Sequence, residues 1–64
     1  MIGKDIKKIR QQKKLSQEKL VRSADISLNT LTKIESGFTK RPSLQTIKQI
    51  ADALGITIDE LVNK

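Results

Sequence analysis

The sequence predicts an all-α fold of five short helices, and three observations carry that reading. Apolar residues recur at helical spacing in separate blocks along the 64 residues. One device for starting a helix is used three times. No stretch alternates at the strand period for more than a few residues. The length is that of one domain, residues 1–64. With 36% apolar residues and a single aromatic, its core must be aliphatic.

Ile2, Ile6 and Ile9 repeat at i, i+4, i+7 and predict a first helix from about Gly3 to Lys13. Lys4, Lys7, Lys8 and Gln11 fall on its solvated side. Lys13 and Lys14 sit in the last turn, where positive charge suits the helix dipole. A second helix begins with Ser16 as cap and Glu18 in the first turn. Leu15 before the cap and Leu20 after it have the spacing of a hydrophobic staple. The arrangement returns as Ile26, Ser27 and Leu31, and again as Ile56, Thr57 and Leu61, where Glu60 completes a capping box. Helices therefore start near residues 17, 28 and 58.

Leu20, Val21 and Ala24 mark the buried stripe of helix two, and Leu31 and Ile34 that of helix three. Between the two helices Asp25-Ile26-Ser27 leaves room only for a tight turn, so residues 17–36 have the form of a helix-turn-helix. Helix three, Leu28 to Ser36, ends at Gly37, which can adopt the left-handed conformation of a helix terminus. Phe38 to Pro42 form a loop, with Phe38 expected to pack after the helix end. Ser43 caps helix four, whose inner stripe is Leu44, Ile47, Ile50, Ala51 and Leu54 up to Gly55. Helix five runs from about Ile58 to Asn63 and buries Leu61 and Val62.

Composition excludes several chemistries. Without Cys or His there is no disulfide, Cys/His zinc site, thiol nucleophile or imidazole base. The seven carboxylates form no paired cluster, and so small a domain leaves little room for a pocket of a few hundred cubic ångströms. An enzyme is rejected on these grounds; no cofactor, metal or small-molecule ligand is expected. No apolar run approaches the roughly 18 residues of a membrane span, and no signal peptide opens the chain, so a soluble cytoplasmic protein is expected.

Charge is distributed unevenly. Residues 1–41 hold eleven Lys/Arg against four Asp/Glu, and residues 42–64 hold two against three. That is the footprint of a polyanion binder, although Lys-rich solvated surfaces are also common in small helical domains.

The outward face of helix three favours the first reading. Placed at 100° per residue, Leu31 and Ile34 point one way, and Asn29, Thr32, Lys33 and Ser36 the other. An amide, hydroxyls and an ammonium are the groups that read base edges in a major groove. Leu28 falls between the faces, either a half-buried edge residue or a contact for a thymine methyl. Gln17, Ser27 and the Thr39-Lys40-Arg41 loop are candidate phosphate contacts, because helix N-termini favour anions and Lys or Arg add charge.

From about Ile6 to Val62 the chain also resembles the phage repressor and Cro-type helix-turn-helix proteins, the XRE-like family. The resemblance rests on I-R-x-x-K-K-L-S-Q-E-K-L, I-S-x-x-T-L-x-K-I-E-S-G, R-P-S-L-x-T-I-x-x-I-A-D-A-L-G-I and the closing D-E-L, in that order. It implies a five-helix repressor-like domain whose third helix enters the major groove, usually as a homodimer on an inverted repeat. Base reading would fall on Leu28, Asn29 and Lys33, with Ser27 and Thr32 as close neighbours. Backbone contacts would fall on Gln17, Ser36, Lys40 and Arg41, and Arg10 with Glu35 would form an ion pair between helices one and three. Two positions depart from the pattern: Val21, where relatives carry a small residue, and Asp25, where they carry Gly. Asp tolerates the left-handed conformation better than most residues.

A sequence-specific double-stranded DNA-binding transcriptional regulator of the repressor type is therefore the leading expectation. The alternative is an antitoxin or co-regulator acting mainly through a protein partner. Single-strand binding is disfavoured, since Phe38 is the sole aromatic available for stacking. Pairing of two copies would use the low-charge C-terminal part around Leu44, Ile56, Ile58 and Leu61, unless these are core, as is favoured for Leu61.

Overall fold

Helix caps account for most of the architecture seen in the computed structural model, which describes residues 2–62. The order is α1 (Ile2–Gln12), α2 (Gln17–Ala24), α3 (Leu28–Ser36), α4 (Leu44–Leu54) and α5 (Ile58–Val62), with no strand among the described residues. Ser16, Ser27 and Ser43 take the extended backbone conformation. Their hydroxyl oxygens accept the N–H of Lys19, Thr30 and Thr46 at 3.1, 3.0 and 3.2 Å. Each bond satisfies a donor that the first helical turn leaves unpaired.

The helix ends are as regular as the starts. Lys14, Asp25, Gly37 and Gly55 all have positive φ, at 58°, 57°, 87° and 72°. After three of them the next residue donates its N–H five residues back: Leu15 to Arg10, Ile26 to Val21 and Ile56 to Ala51, at 3.0, 3.1 and 3.0 Å. Leu15, Ile26 and Ile56 then lay their side chains against the core. The residue that closes each helix thus also anchors it. Asp25 takes the left-handed turn expected of it, whereas Lys14, expected in the last turn of helix one, lies beyond its end. That helix stops at Gln12, because Lys14 reverses the chain. The expected reach of helix five to Asn63 lies outside the described residues, and the side chain of Val62 is likewise outside what is described.

Ile6, Leu20, Leu31, Ile34, Ile50, Leu54 and Leu61 are fully enclosed, with Val21, Ala24 and Ala51 completing the core. Burial of each large aliphatic side chain contributes about 1.5–3 kcal/mol. α1 packs on α3 and α5, α2 packs on α3 and α4, and α4 packs on α5. α3 is therefore gripped from both sides. Val21, where relatives carry a small residue, is accommodated in the core. Leu44 corrects the expected inner stripe of helix four: at 69% exposed it projects into solvent from the first turn, before the cover that reaches Ile47 begins.

Gly3 sets the approach of α1 to α3. A Cβ at this position would overlap the carbonyl oxygen of Ile34. Only a hydrogen atom fits between the two backbones.

Candidate nucleic-acid interface

α3 is anchored by Leu31 and Ile34, which are 0% and 1% exposed. Helical spacing then sends Asn29, Lys33 and Ser36 into solvent, with Thr32 half-buried beside them. Leu28 is 43% exposed at the edge of this face. The five side chains form one surface, as expected from the helical wheel. Glu35 is the one acid on α3, and it is turned away into an ion pair.

Several hydroxyls on this surface are already committed. Thr32 Oγ1 donates to the carbonyl of Asn29 at 3.0 Å, and Ser36 Oγ donates to that of Lys33 at 3.1 Å. Their lone pairs, and the methyl of Thr32, are what remain for a partner. Ser27 Oγ accepts the N–H of Thr30 and lies 2.7 Å from Thr30 Oγ1. Ser27 is exposed, but its hydroxyl serves the cap. The first turn of α3 carries no acidic residue, so its N-terminus remains open to an anion.

Arg10 and Glu35 form the pair the resemblance implied. The guanidinium is bidentate, Nε to Oε2 at 2.8 Å and Nη2 to Oε1 at 3.1 Å, with side chains 10% and 4% exposed. Arg10 Nη1 also donates to the carbonyl of Leu15 at 2.8 Å, and Gln17 Nε2 donates to Glu35 Oε1 at 3.0 Å. The Arg10–Glu35 pair thereby ties the end of α1, the α1–α2 link, the start of α2 and the last turn of α3. Gln17, expected at a phosphate, has one amide proton engaged in this cluster and the other unassigned. Among the described residues no buried side-chain nitrogen or oxygen lacks a partner.

Beyond Gly37, Lys40 and Arg41 are exposed and Thr39 half-buried. The sole ion pair among the described residues is Arg10–Glu35, so both loop cations stand clear of the chain's carboxylates there. Phe38 departs from expectation: it is 78% exposed rather than packed, and Lys33 Nζ lies 5.7 Å from its ring centroid. The cause is one extra residue in the turn. Phe38 N–H approaches Ser36 Oγ at 3.4 Å, and it is Thr39 that closes onto the carbonyl of Lys33, at 3.0 Å.

Two concavities border α3. A pocket of about 220 Å³ is lined by Ile2, Gly3, Ile34, Gly37, Thr39 and Lys40. A depression of about 360 Å³, open to solvent, is lined by Thr32, Lys33, Ser36 and Phe38. The second exceeds the volume thought available from chain length, because it lies on the surface rather than within the core. No group of three or more Asp or Glu residues able to hold a metal occurs among the described residues, and no described helix is long and apolar enough to cross a membrane. Of the four residues suggested for pairing of copies, Leu44 is exposed and Ile56 and Ile58 are half-buried. Leu61 is fully enclosed and drops out.

The helix-turn-helix family profile matches residues 6–61. The chain is 38% identical over 63 residues to the immunity repressor protein of Bacillus phage phi105, covering 98% of this chain and 43% of that protein. It is 30% identical over 64 residues to the HTH-type transcriptional regulator SinR of Bacillus licheniformis, covering 100% of this chain and 58% of the relative. The chain spans about half the length of the curated relatives it matches.

Proposed function

Since the chain belongs to the helix-turn-helix family, we propose that it is a sequence-specific double-stranded DNA-binding transcriptional regulator, of the repressor kind, reading the major groove with α3. The observation that carries this is the exposed face of α3, where Asn29 and Lys33 stand in solvent with no acid among them. Asn29 suits adenine, Lys33 suits guanine O6 and N7, and Leu28 and the Thr32 methyl suit the thymine methyl. Ser27 borders the same bases. Gln17, Ser36, Lys40 and Arg41 meet the phosphates and fix the register. The basic surplus of residues 1–41 brings the domain to DNA and keeps it there. The site of action is the cytoplasm. Two copies bind an inverted repeat through the surface around Leu44, Ile56 and Ile58, because one half-site of this size gives modest affinity. No reaction is assigned to the domain.

Selection from random duplexes, followed by fluorescence anisotropy over a salt series, tests the proposal. One motif should be enriched, and log K should fall linearly with log salt as counterions leave the phosphates. Asn29→Ala and Lys33→Ala should each relax the preference at one base position by about 1–3 kcal/mol. Arg41→Ala should weaken all sequences alike and lower the salt slope by about one. A protein that enriches no duplex, or binds without regard to salt, overturns the assignment. Sedimentation with and without the selected duplex reads the pairing.

A further inference from the structure

Three helices end in the same way, and α3 does not. After Lys14, Asp25 and Gly55 the following residue bonds back to its helix and tucks an aliphatic side chain against the core. After Gly37 that role passes to Thr39, and Phe38 is released into solvent. The ring comes to rest beside Lys33, forming one wall of the depression that Thr32, Lys33 and Ser36 complete. Lys33 belongs to the surface assigned to DNA, and no acid of α3 competes for its ammonium there.

We propose that Phe38 is a positioning residue for Lys33, holding its ammonium over the groove-facing side of α3 and so sharpening the base preference that Lys33 sets. The proposal rests on the DNA-binding reading. A free lysine is a flexible point charge that a phosphate satisfies as readily as a base edge. The negative face of the phenyl ring attracts the ammonium and restricts the stem. A side chain ordered before docking loses less freedom on binding, and its charge is withheld from neighbouring phosphates. Specificity at one base step then depends on a residue that need not touch that base.

Phe38→Leu, Phe38→Tyr, Lys33→Ala and the double variant Lys33→Ala/Phe38→Leu test this in two arms. In the free protein, proton NMR should show the Lys33 side-chain methylenes shifted upfield in the wild type and in Phe38→Tyr, with the shift lost in Phe38→Leu. In selection from random duplexes, Phe38→Leu should lower the preference at the Lys33-dependent position about two- to fivefold, with the salt slope and melting temperature unchanged. Phe38→Tyr should retain the preference, and the double variant should be no worse than Lys33→Ala alone. An absent ring shift overturns the proposal. So does a Phe38→Leu variant with wild-type preference, one that weakens all sequences alike, or one that melts earlier. A wild type that enriches no duplex removes the DNA-binding reading and this role together. A wild type that does, with Phe38 indifferent, removes this role alone.

Discussion

From α2 to α3 the chain passes through Asp25, Ile26 and Ser27, and from α4 to α5 through Gly55, Ile56 and Thr57, so that two joints of one design can be compared. Both begin with a left-handed residue, at φ 57° and 72°. Both continue with a half-buried isoleucine whose N–H closes the preceding helix, at 3.1 and 3.0 Å. Both end in a hydroxyl cap. They differ in what faces the cap. Thr57 is paired with Glu60, whose Oε1 accepts the Thr57 N–H at 3.0 Å while Thr57 Oγ1 accepts the Glu60 N–H at 3.1 Å. Ser27 is paired with the hydroxyl of Thr30, at 2.7 Å. α5 therefore opens with Asp59 and Glu60, and α3 opens with no acid. The shared part is a folding device, and the unshared part decides which helix can face an anion.

α3 has a second fastening in Arg10, Glu35 and Gln17. Breaking it gives the largest expected effect. Glu35→Ala leaves the Arg10 guanidinium buried without its partner and should lower stability by about 3–5 kcal/mol. That is a large share of the roughly 3–10 kcal/mol expected of a domain this small. Urea denaturation reads the loss, and the apolar double replacement Arg10→Met/Glu35→Leu should recover much of it.

An intermediate effect separates the two left-handed positions. Nothing lies within 4 Å of a Cβ placed at Gly55, so Gly55→Ala tests backbone conformation alone and should lower stability by about 1 kcal/mol. Asp25→Gly should raise it by about 0.5 kcal/mol, part of the gain being lost to the greater freedom of the unfolded chain. Equal signs in denaturation midpoints would show that the joints are not equivalent.

The smallest change in stability should carry the clearest change in binding. Thr30→Glu builds into the first joint the carboxylate cap of the second, adding about 0.5 kcal/mol to the fold. The same carboxylate would meet the phosphates at the start of α3, so anisotropy should show weaker binding to every duplex. A variant more stable and equally tight would place the DNA elsewhere.

The caps, staples and turn were legible in the sequence because each is completed within about five residues. Asp25 could be placed in the left-handed region for the same reason. Lys14 could not, since neither Gly nor Asn marks that reversal. The outward set on α3 followed from helical spacing once Leu31 and Ile34 were placed inside. The bond from Gln17 to Glu35 was not legible, because its partner lies eighteen residues away, beyond the turn. The rule that serves Leu15, Ile26 and Ile56 fails for Phe38, because a one-residue difference in hydrogen bonding reverses its direction. Leu44 fits its stripe by spacing and fails by position, since periodicity does not say where a neighbour ends.

The bare backbone at Gly3 bears on how this surface can change over generations. Asn29 and Lys33 are exposed, and replacing either disturbs no neighbour in the interior, so the proposed reading face is free to vary without cost to the fold. Position 3 has no such latitude, since even a methyl group would pry α1 from α3. A bare backbone contact behind α3 is thus the part that must hold still while the exposed face of that helix is rewritten.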